Sequence, residues 1–266
     1  MTALIEEIVE EVQKRSLILK VLPEIRMVAI SLGYSFVELS NDKMGICFTP
    51  RSINASCTHY HKAGTLTNKN ILELAELMLS EHPLEKSIGV AVVNVLSQMI
   101  MDNLPEKYRF EEGNFLDLLP IDHQSSKVGM IGNIEPFIPF LVKHSSSLVV
   151  VDDNPSLNPG VQEKGYCISR NMQDLADADI VIMTGSSVVV GDFDRAVEAA
   201  KTARFIGVVG PSAGWLPDPA FRRGINVVAG TKITDITRAR HVILEGGGTP
   251  NFSKYGLKYM IKRKTL

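Results

Sequence analysis

The chain has 266 residues, of which 45% are hydrophobic and 22% are charged, and its formal net charge at pH 7 is −2. This composition is that of a globular protein with one large or two ordinary domains, and the small net charge excludes a general electrostatic attraction to nucleic acid or to anionic membranes. Three scattered cysteines, an acidic amphipathic N-terminus and a longest apolar run (88–96) far shorter than a membrane span predict a cytoplasmic protein without a disulfide framework, a signal peptide or a transmembrane helix.

The first half of the chain reads as a small α+β domain. Apolar residues at helical spacing predict a helix over 3–20, and three short β-prone runs follow, with a hairpin turn at Asn41, Asp42 and Lys43. A crossing rich in proline and acidic residues, over 102–126, leads to the second half. The strands are predicted at 27–30, 35–39 and 45–48, and two further helices at 70–80 and 84–101. A hairpin sheet followed by helices is typical of an α+β domain, and we expect its outer sheet face to be open to solvent.

The loop over 49–67 contains candidate metal ligands. Cys57, His59 and His61 alternate along it, and in an extended segment such residues lie on one face. A thiolate and two imidazoles are competent ligands for zinc, nickel or copper. The alternative is a polar loop whose histidines contact only solvent, because neither a fourth ligand nor a second ligand pair is visible.

The helix over 84–101 carries one amide in an otherwise apolar stretch. Asn94 lies between Val93 and Val95. It belongs either to a solvated helix face or to a cleft between two domains.

The second half opens with the pattern of a strand, a glycine turn, a helix and a second strand that ends in acid. Gly132 supplies the turn, Asn133 is a candidate helix cap, and Asp152 ends the second strand. An acidic residue about 20 residues beyond a glycine turn is where a Rossmann unit holds a ribose hydroxyl. Because the spacing Gly129-x-x-Gly132 is not G-x-G-x-x-G, the pattern favours a Rossmann-like half-sheet over a dinucleotide site.

Strands and helices then alternate along the rest of the chain. Strands are predicted at 128–131, 148–151, 166–169, 180–183, 205–209, 225–229 and 241–244, and helices after 133 and at 172–178, 192–201 and 219–223. This alternation predicts a doubly wound, mostly parallel, Rossmann-like sheet over 123–266, preceded by the smaller α+β domain over 1–122. The basic residues Lys262, Arg263 and Lys264 are interpreted as a solvated terminus.

Small and hydroxyl-bearing residues follow three of these strands. Ligands of open α/β sheets bind outside the carboxyl ends of the strands, where exposed backbone N–H groups can hold an anion. One such loop is explained by the need to turn the chain, whereas three together predict a ligand site. The residues expected to converge there are Gly132, Asn133, Asp152, Thr184, Gly185, Ser186, Gly210, Pro211 and Ser212.

Motifs for several reaction classes are missing. The chain has no Walker A lysine motif and no G-x-S-x-G elbow, which argues against P-loop phosphate chemistry and a hydrolase nucleophile. His123, at the domain crossing, is a lone candidate for a general base. The sequence does not decide whether the chain is an enzyme.

The motifs of the second half resemble those of a family of prokaryotic proteins whose descriptive label is heavy-metal chelation. They are Thr184-Gly185-Ser186, Gly210-Pro211-Ser212, Gly224 with Ala229-Gly230-Thr231, and Gly246-Gly247-Gly248. The surroundings of Glu38 and Gly45, Cys57, and Ile88-Gly89-Val90-Ala91 with Asn94 resemble the smaller domain of that family. The resemblance covers nearly the whole chain, and its most specific part is Gly210-Pro211-Ser212 with the later Ala229-Gly230.

The resemblance implies an enolase-N-terminal-like domain docked on a Rossmann-like domain, with a ligand cleft between them. Two positions depart from the family pattern. Residues 188–191 fill a region where asparagine is usual, and Asp152 stands where glutamate is frequent. The first departure puts a shared ligand in doubt, and the second keeps the carboxylate on a shorter arm.

Two functions from different classes follow. The leading one is binding of a small anionic or metal-bearing organic ligand in the cleft, with Asn94 closing the site; chelation or delivery of nickel, cobalt or zinc is the variant that the resemblance implies. The alternative is an enzyme that uses NAD or S-adenosylmethionine at the same sheet edge, which Asp152 favours and the glycine spacing opposes. A purely structural module explains the fold but not the three loops. A homo-oligomer is compatible with the sequence.

Overall fold

The computed structural model describes residues 3–50, 59–122, 125–191 and 193–264. The helices are α1 (Leu4–Arg15), α2 (Ile71–Glu76), α3 (Pro83–Asp102), α4 (Ile138–His144), α5 (Ser187–Val190), α6 (Phe193–Ala199), α7 (Asp218–Arg222), α8 (Ile236–Leu244) and α9 (Thr249–Phe252). The strands are β1 (Ile25–Ile30), β2 (Tyr34–Leu39), β3 (Met44–Phe48), β4 (Lys127–Ile131), β5 (Ser147–Val151), β6 (Gly160–Val161), β7 (Cys167–Ser169), β8 (Ile180–Thr184), β9 (Phe205–Val209), β10 (Val227–Ile233) and β11 (Gly256–Lys262).

The first half forms the predicted antiparallel sheet, in the order β1-β2-β3. Asp42 makes the turn between β2 and β3 with a φ of 55°. Helix α3 lies directly on β3, because a Cβ at Gly45 would come within 1.9 Å of the carbonyl oxygen of Ala91. Glycine at this position is therefore what allows the helix and the strand to make backbone contact.

The other face of this small sheet is buried, so the expectation of a solvated face is wrong. Phe36, Met44 and Ile46 pack there in one cluster with Ile243 of α8 and Phe252 of α9. These helices follow β10, at the far end of the chain, and fold back over the sheet. Both faces of the small sheet therefore serve as core.

The second half forms one sheet in the order β11-β10-β9-β8-β4-β5-β7-β6. The strands from β7 to β10 are parallel, and β6 and β11 pair antiparallel at the two edges. The chain winds outward from β4 through β5 and β7 on one side, and through β8, β9 and β10 on the other. This is the predicted doubly wound arrangement, with its switch in strand order between β4 and β8.

Alternate residues of the strands face two different layers. Val128 and Met130 pack with Leu141 of α4 on one face of the large sheet. Ile131 and Val181 point to the other face and share a hydrophobic cluster with α1 and α3. The core of the protein thus runs without a break from one predicted domain into the other. The boundary at 122/123 and the likeness to an enolase N-terminal domain stay predictions.

Helix α3 is long and apolar enough to cross a membrane by length and composition alone, but 83% of its apolar window is buried inside the protein. Ser87, Asn94 and Gln98 of α3 are buried too, so the interpretation of Asn94 as part of a solvated helix face is wrong. Ser87 donates to the carbonyl of Phe48 over 2.8 Å, and Gln98 donates to that of Thr231 over 3.1 Å. Buried side-chain donors satisfy backbone carbonyls of both sheets, as buried polar groups must.

One prediction near the C-terminus is wrong. The run 241–244 is not a strand but the last turn of α8, in which Ala239 and Ile243 are buried one helical turn apart; a short apolar run alone does not separate helix from strand. Residues 262–264 are exposed, as predicted for the basic end, although the backbone of Lys262 pairs with Val227 in the ladder between β10 and β11 and its ammonium lies 2.6 Å from Glu111.

Candidate functional site

A cavity of about 910 Å³ opens at the carboxyl ends of β4, β5 and β8, beside the switch in strand order. We call it the sheet-edge cavity. The structure brings five of the predicted ligand-binding residues to it, namely Gly132, Asn133, Asp152, Thr184 and Ser186. The first half contributes Phe48 and Pro50, at the end of β3. The cavity therefore lies between the two halves, as a cleft ligand would require.

Asp152 fastens two of the loops that form this cavity. Its carboxylate accepts the N–H of Asn133 and the N–H of Asn154, each over 2.7 Å. Hydrogen bonds to an ionised acceptor are among the stronger ones in proteins. Arg170 holds the same loop through the carbonyls of Asp152, at 3.3 Å, and Asn154, at 3.1 Å. Each carboxylate oxygen keeps a further lone pair, so Asp152 can still accept from a ligand.

Gly132 is required by a contact between two loops. Its φ is +79°, and a Cβ there would lie 2.5 Å from Cγ2 of Thr184. A side chain at this position would be strained in its backbone and would clash with its neighbour. Gly132 thus allows its loop to approach Thr184 closely.

The prediction that Asn133 caps a helix is wrong. A 3-10 turn over Glu135–Phe137 follows it, and α4 begins only at Ile138. Its Oδ1 atom is instead buried without a hydrogen-bond partner. Since an unsatisfied buried acceptor costs about 1–3 kcal/mol, an O–H or N–H donor of a ligand would gain from meeting it. Thr184 and Ser186 add two hydroxyl oxygens 3.1 Å apart.

The sheet-edge cavity is acidic. Asp152 and Asp153 both line it, and its lining, within the described residues, includes no lysine, arginine or histidine. The backbone donors nearby are also engaged: the N–H of Asn133 binds Asp152, and the N–H of Ile134 binds the carbonyl of Gly132. Pro136, in the turn that follows, has no N–H. The geometry therefore disfavours an anion, including the pyrophosphate of a dinucleotide.

The remaining predicted residues, Asn94, Gly185, Gly210, Pro211 and Ser212, do not line this cavity. Asn94 is 1% exposed and Ser212 is 2% exposed. The Ser212 hydroxyl oxygen accepts the N–H of Phe48 over 2.9 Å. The N–H of Gly185 donates to the carbonyl of Val209 over 2.9 Å. Ser212 thus attaches the loop after β9 to the end of β3, and Gly185 attaches the loop after β8 to the end of β9.

The predicted metal ligands are not brought together by the described structure. Cys57 lies outside the described residues, and His59 and His61 are exposed. His61 begins a turn, so the extended geometry assumed for these residues does not continue through it. In the described parts of the chain, no group of three or more histidine, cysteine, aspartate or glutamate residues could hold a metal ion.

Sequence reasoning missed several residues of this region. Asp153, Asn154 and Ser156 line the sheet-edge cavity and follow Asp152 directly, so a longer reading of that loop would have found them. Phe48 and Pro50 come from a different sheet, and no sequence signal links them to it. A second, largely apolar cavity of about 1000 Å³ adjoins Pro50 on the side of the small sheet. It is lined by residues that include Val28, Ile30, Leu32, Tyr60, Leu66 and His82.

Comparison with known proteins gives the relatives of the chain. Two family sequence models, both described as "Putative heavy-metal chelation", match residues 114–262 and 23–97. The uncharacterised protein MJ0500 of Methanocaldococcus jannaschii is 27% identical over 241 residues, which span 87% of this chain and 89% of that protein.

Two crystal structures share the fold. A DUF364-family protein of unknown function from Pyrococcus horikoshii matches with a TM-score of 0.74 at 20% identity, over 98% of this chain and 100% of that one. Another protein of that family and of unknown function, from Desulfitobacterium hafniense, matches with a TM-score of 0.70 at 20% identity, over 97% of this chain and 99% of that one.

Proposed function

The chain belongs to the family described as "Putative heavy-metal chelation", as its motifs predicted, and from this premise we propose that it binds a cationic, metal-bearing small organic ligand in the sheet-edge cavity. The observation that carries the proposal is the charge of that cavity. Asp152 and Asp153 line it together with neutral oxygen atoms, and none of its described lining residues is cationic. Arg170 binds the carbonyls of Asp152 and Asn154 from outside the lining, so the two carboxylates and this guanidinium together leave one net negative charge. A cation gains Coulomb energy in such a site, whereas an anion loses it.

The oxygen atoms that line the sheet-edge cavity favour a ligand in which the metal ion is already coordinated. Carboxylate, hydroxyl and amide oxygens suit hard cations, whereas softer transition metals prefer nitrogen and sulfur. A chelated metal ion has its inner positions filled by the organic part of the ligand. The oxygens of Asp152, Thr184 and Ser186 would then accept hydrogen bonds from that organic part, and the two aspartates would balance its positive charge.

A thermal-shift screen tests this proposal. The probes are a cationic complex, nickel(II) with ethylenediamine, and an anionic one, nickel(II) with citrate. A ligand at about 100 times its dissociation constant stabilises the folded state by about 2.7 kcal/mol. We expect the cationic complex to raise the melting temperature and the anionic complex to leave it unchanged.

Matched variants locate the effect. Asp153→Asn removes one charge from the cavity at an exposed position, so we expect weaker binding of the cationic complex without loss of fold. Asp177→Asn is the control, because Asp177 is exposed and precedes β8, at the opposite edge of the sheet. Stabilisation by the anionic complex alone, or equal effects of the two variants, would contradict the proposal.

The negative charge of the sheet-edge cavity also favours one of the two cofactors in the enzyme alternative, namely S-adenosylmethionine. S-adenosylmethionine carries a sulfonium cation and no phosphate, and Asp152 stands where a ribose hydroxyl is held in Rossmann units. NAD carries a pyrophosphate, which the acidic cavity disfavours. Adding both compounds to the screen separates the branches: stabilisation by S-adenosylmethionine that Asp152→Asn removes would support a nucleoside-cofactor enzyme instead.

A further inference from the structure

Three aromatic rings meet on the surface beside the apolar cavity at Pro50. The ring centroids of Tyr60 and His61 are 5.5 Å apart, those of Tyr60 and His82 are 5.9 Å apart, and those of His61 and His82 are 6.4 Å apart. Both histidines are exposed, and His82 also lines the apolar cavity. Two imidazoles from separate segments of the chain therefore lie close together at the surface.

One buried carboxylate holds both segments in place. Glu85, 7% exposed, accepts the hydroxyl of Tyr60 over 3.1 Å and lies 2.5 Å from the ammonium of Lys62, so it binds the residues on either side of His61. It also accepts the hydroxyl of Ser80 over 2.7 Å, and the Ser80 oxygen accepts the N–H of His82 over 3.1 Å. The two segments that carry the imidazoles are thus held by one shared carboxylate.

We propose that His61 and His82 form a two-imidazole site for a borderline transition-metal cation that accepts two nitrogens on opposite sides, such as Cu²⁺ or Ni²⁺. With metal–nitrogen bonds of about 2.1 Å, two ring centres lie about 5.3 Å apart at the tetrahedral angle of Zn²⁺ and about 6.5 Å apart when the two nitrogens are opposite each other. The observed 6.4 Å fits the second arrangement, which square-planar and tetragonal Cu²⁺ and Ni²⁺ sites provide. Glu85 holds the two segments that carry the histidines through Tyr60, Lys62 and Ser80, and it therefore acts on the site through these neighbours.

The local charge permits a cation. Lys62 follows His61 directly, and its ammonium is paired with Glu85. Two imidazoles leave the remaining coordination positions to water or to donors of an organic ligand. This site is separate from the sheet-edge cavity and rests on different residues, so either proposal can fail while the other holds.

Two measurements on the untagged full chain test the site. They are isothermal titration calorimetry with CuCl₂ and NiCl₂, and electron paramagnetic resonance of the Cu²⁺ form. We expect Cu²⁺ to bind more tightly than Ni²⁺, following the general order of divalent metals, and the spectrum to show two coordinated nitrogens. His61→Ala and His82→Ala should each weaken binding at least about tenfold and remove that two-nitrogen signature. His241→Ala, at an exposed position on α8, should change neither.

Variants of His82 distinguish this two-imidazole site from the metal ligands predicted from the sequence, which are Cys57, His59 and His61. If Cys57→Ala or His59→Ala abolishes binding while His82→Ala leaves it unchanged, the two-imidazole site is wrong. Glu85→Gln keeps both ligands and should raise the dissociation constant with the two-nitrogen signature retained, as expected of a positioning residue. Should that variant fail to fold, His82→Ala, at an exposed position, still decides the question. Asp153→Asn should leave Cu²⁺ binding intact.

Discussion

The side-chain amide of Asn94 donates to the carbonyl of Ser212 over 3.2 Å and to that of Ile46 over 2.9 Å. One nitrogen on α3 therefore binds both the small sheet, through β3, and the loop after β9 of the large sheet. The Ser212 hydroxyl then accepts the N–H of Phe48, which lines the sheet-edge cavity. The first half is thus held against the second at the side of the cavity, and Asn94 acts in assembly of the cleft.

Asn94→Ala should destabilise the protein strongly. It leaves the carbonyls of Ile46 and Ser212 without this donor in a region where Asn94 itself is 1% exposed. We expect the free energy of unfolding to fall by about 2–3 kcal/mol, measured by urea denaturation followed by circular dichroism. Asn103→Ala is the control, because that amide also donates to a carbonyl, that of Met99, but at an exposed helix end. Equal losses for the two variants would show that Asn94 is not a connection between the halves.

Gly45→Ala should disrupt the contact between α3 and β3. The added Cβ would lie 1.9 Å from the carbonyl oxygen of Ala91, so helix and strand would have to separate. Overpacking of this kind costs about 3 kcal/mol or more when backbone must move. Gly248→Ala is the matched control, since the nearest atom to its Cβ is 3.8 Å away. A shift of the urea midpoint for Gly45→Ala no larger than that for Gly248→Ala would refute the prediction.

Acid stability should depend on Glu85. Its hydrogen bond from Lys62, followed by that from Ser80, lowers its pKa from 4.5 to about 2, against the opposing effect of burial. A carboxylate whose pKa is lower in the folded state contributes stability that is complete above the unfolded pKa and is lost as the pH falls through the folded value. The contribution should therefore disappear between about pH 4.5 and about pH 2.

Glu85→Gln measures that contribution. The variant should be less stable than the parent protein at neutral pH, and the difference should shrink as the pH falls through this window. Urea titrations at several pH values give both stabilities. Glu81→Gln, at an exposed position nearby, should follow the parent curve throughout. A constant difference between Glu85→Gln and the parent down to about pH 2 would rule out the lowered pKa.

Removal of β11 should prevent folding. The strand pairs with β10 over its full length, and Tyr259, Met260 and Ile261 are each at most 4% exposed. A chain ending at residue 255 would expose these partners and leave the edge of β10 unpaired, which promotes aggregation. We expect it in the insoluble fraction on expression. A chain ending at residue 262 keeps the strand and should remain soluble, so the two truncated chains locate the requirement in β11.

The order of most elements was readable from the sequence because local patterns determine them. Buried parallel strands such as β4, β5, β8 and β9 appear as short apolar runs between turn residues. Gly132 and Asp152 were correctly placed at the sheet edge, since the carboxyl ends of neighbouring parallel strands meet there. The end of α8 was misread because its apolar run is too short to show a helical period. Strand β11 was missed because charged residues flank its few buried positions.

Local sequence patterns predicted most of the strands and helices and the loops that follow the parallel strands, because these depend on neighbours within a few residues. Three features emerge only from the fold: Asn94 and Ser212 join the two halves, Asp152 already accepts two N–H groups, and His82 lies beside His61. Each of these contacts joins segments whose separation along the chain carries no information about their distance in space. The charge of the sheet-edge cavity is of the same kind, since it depends on which side chains the fold leaves out as much as on those it includes.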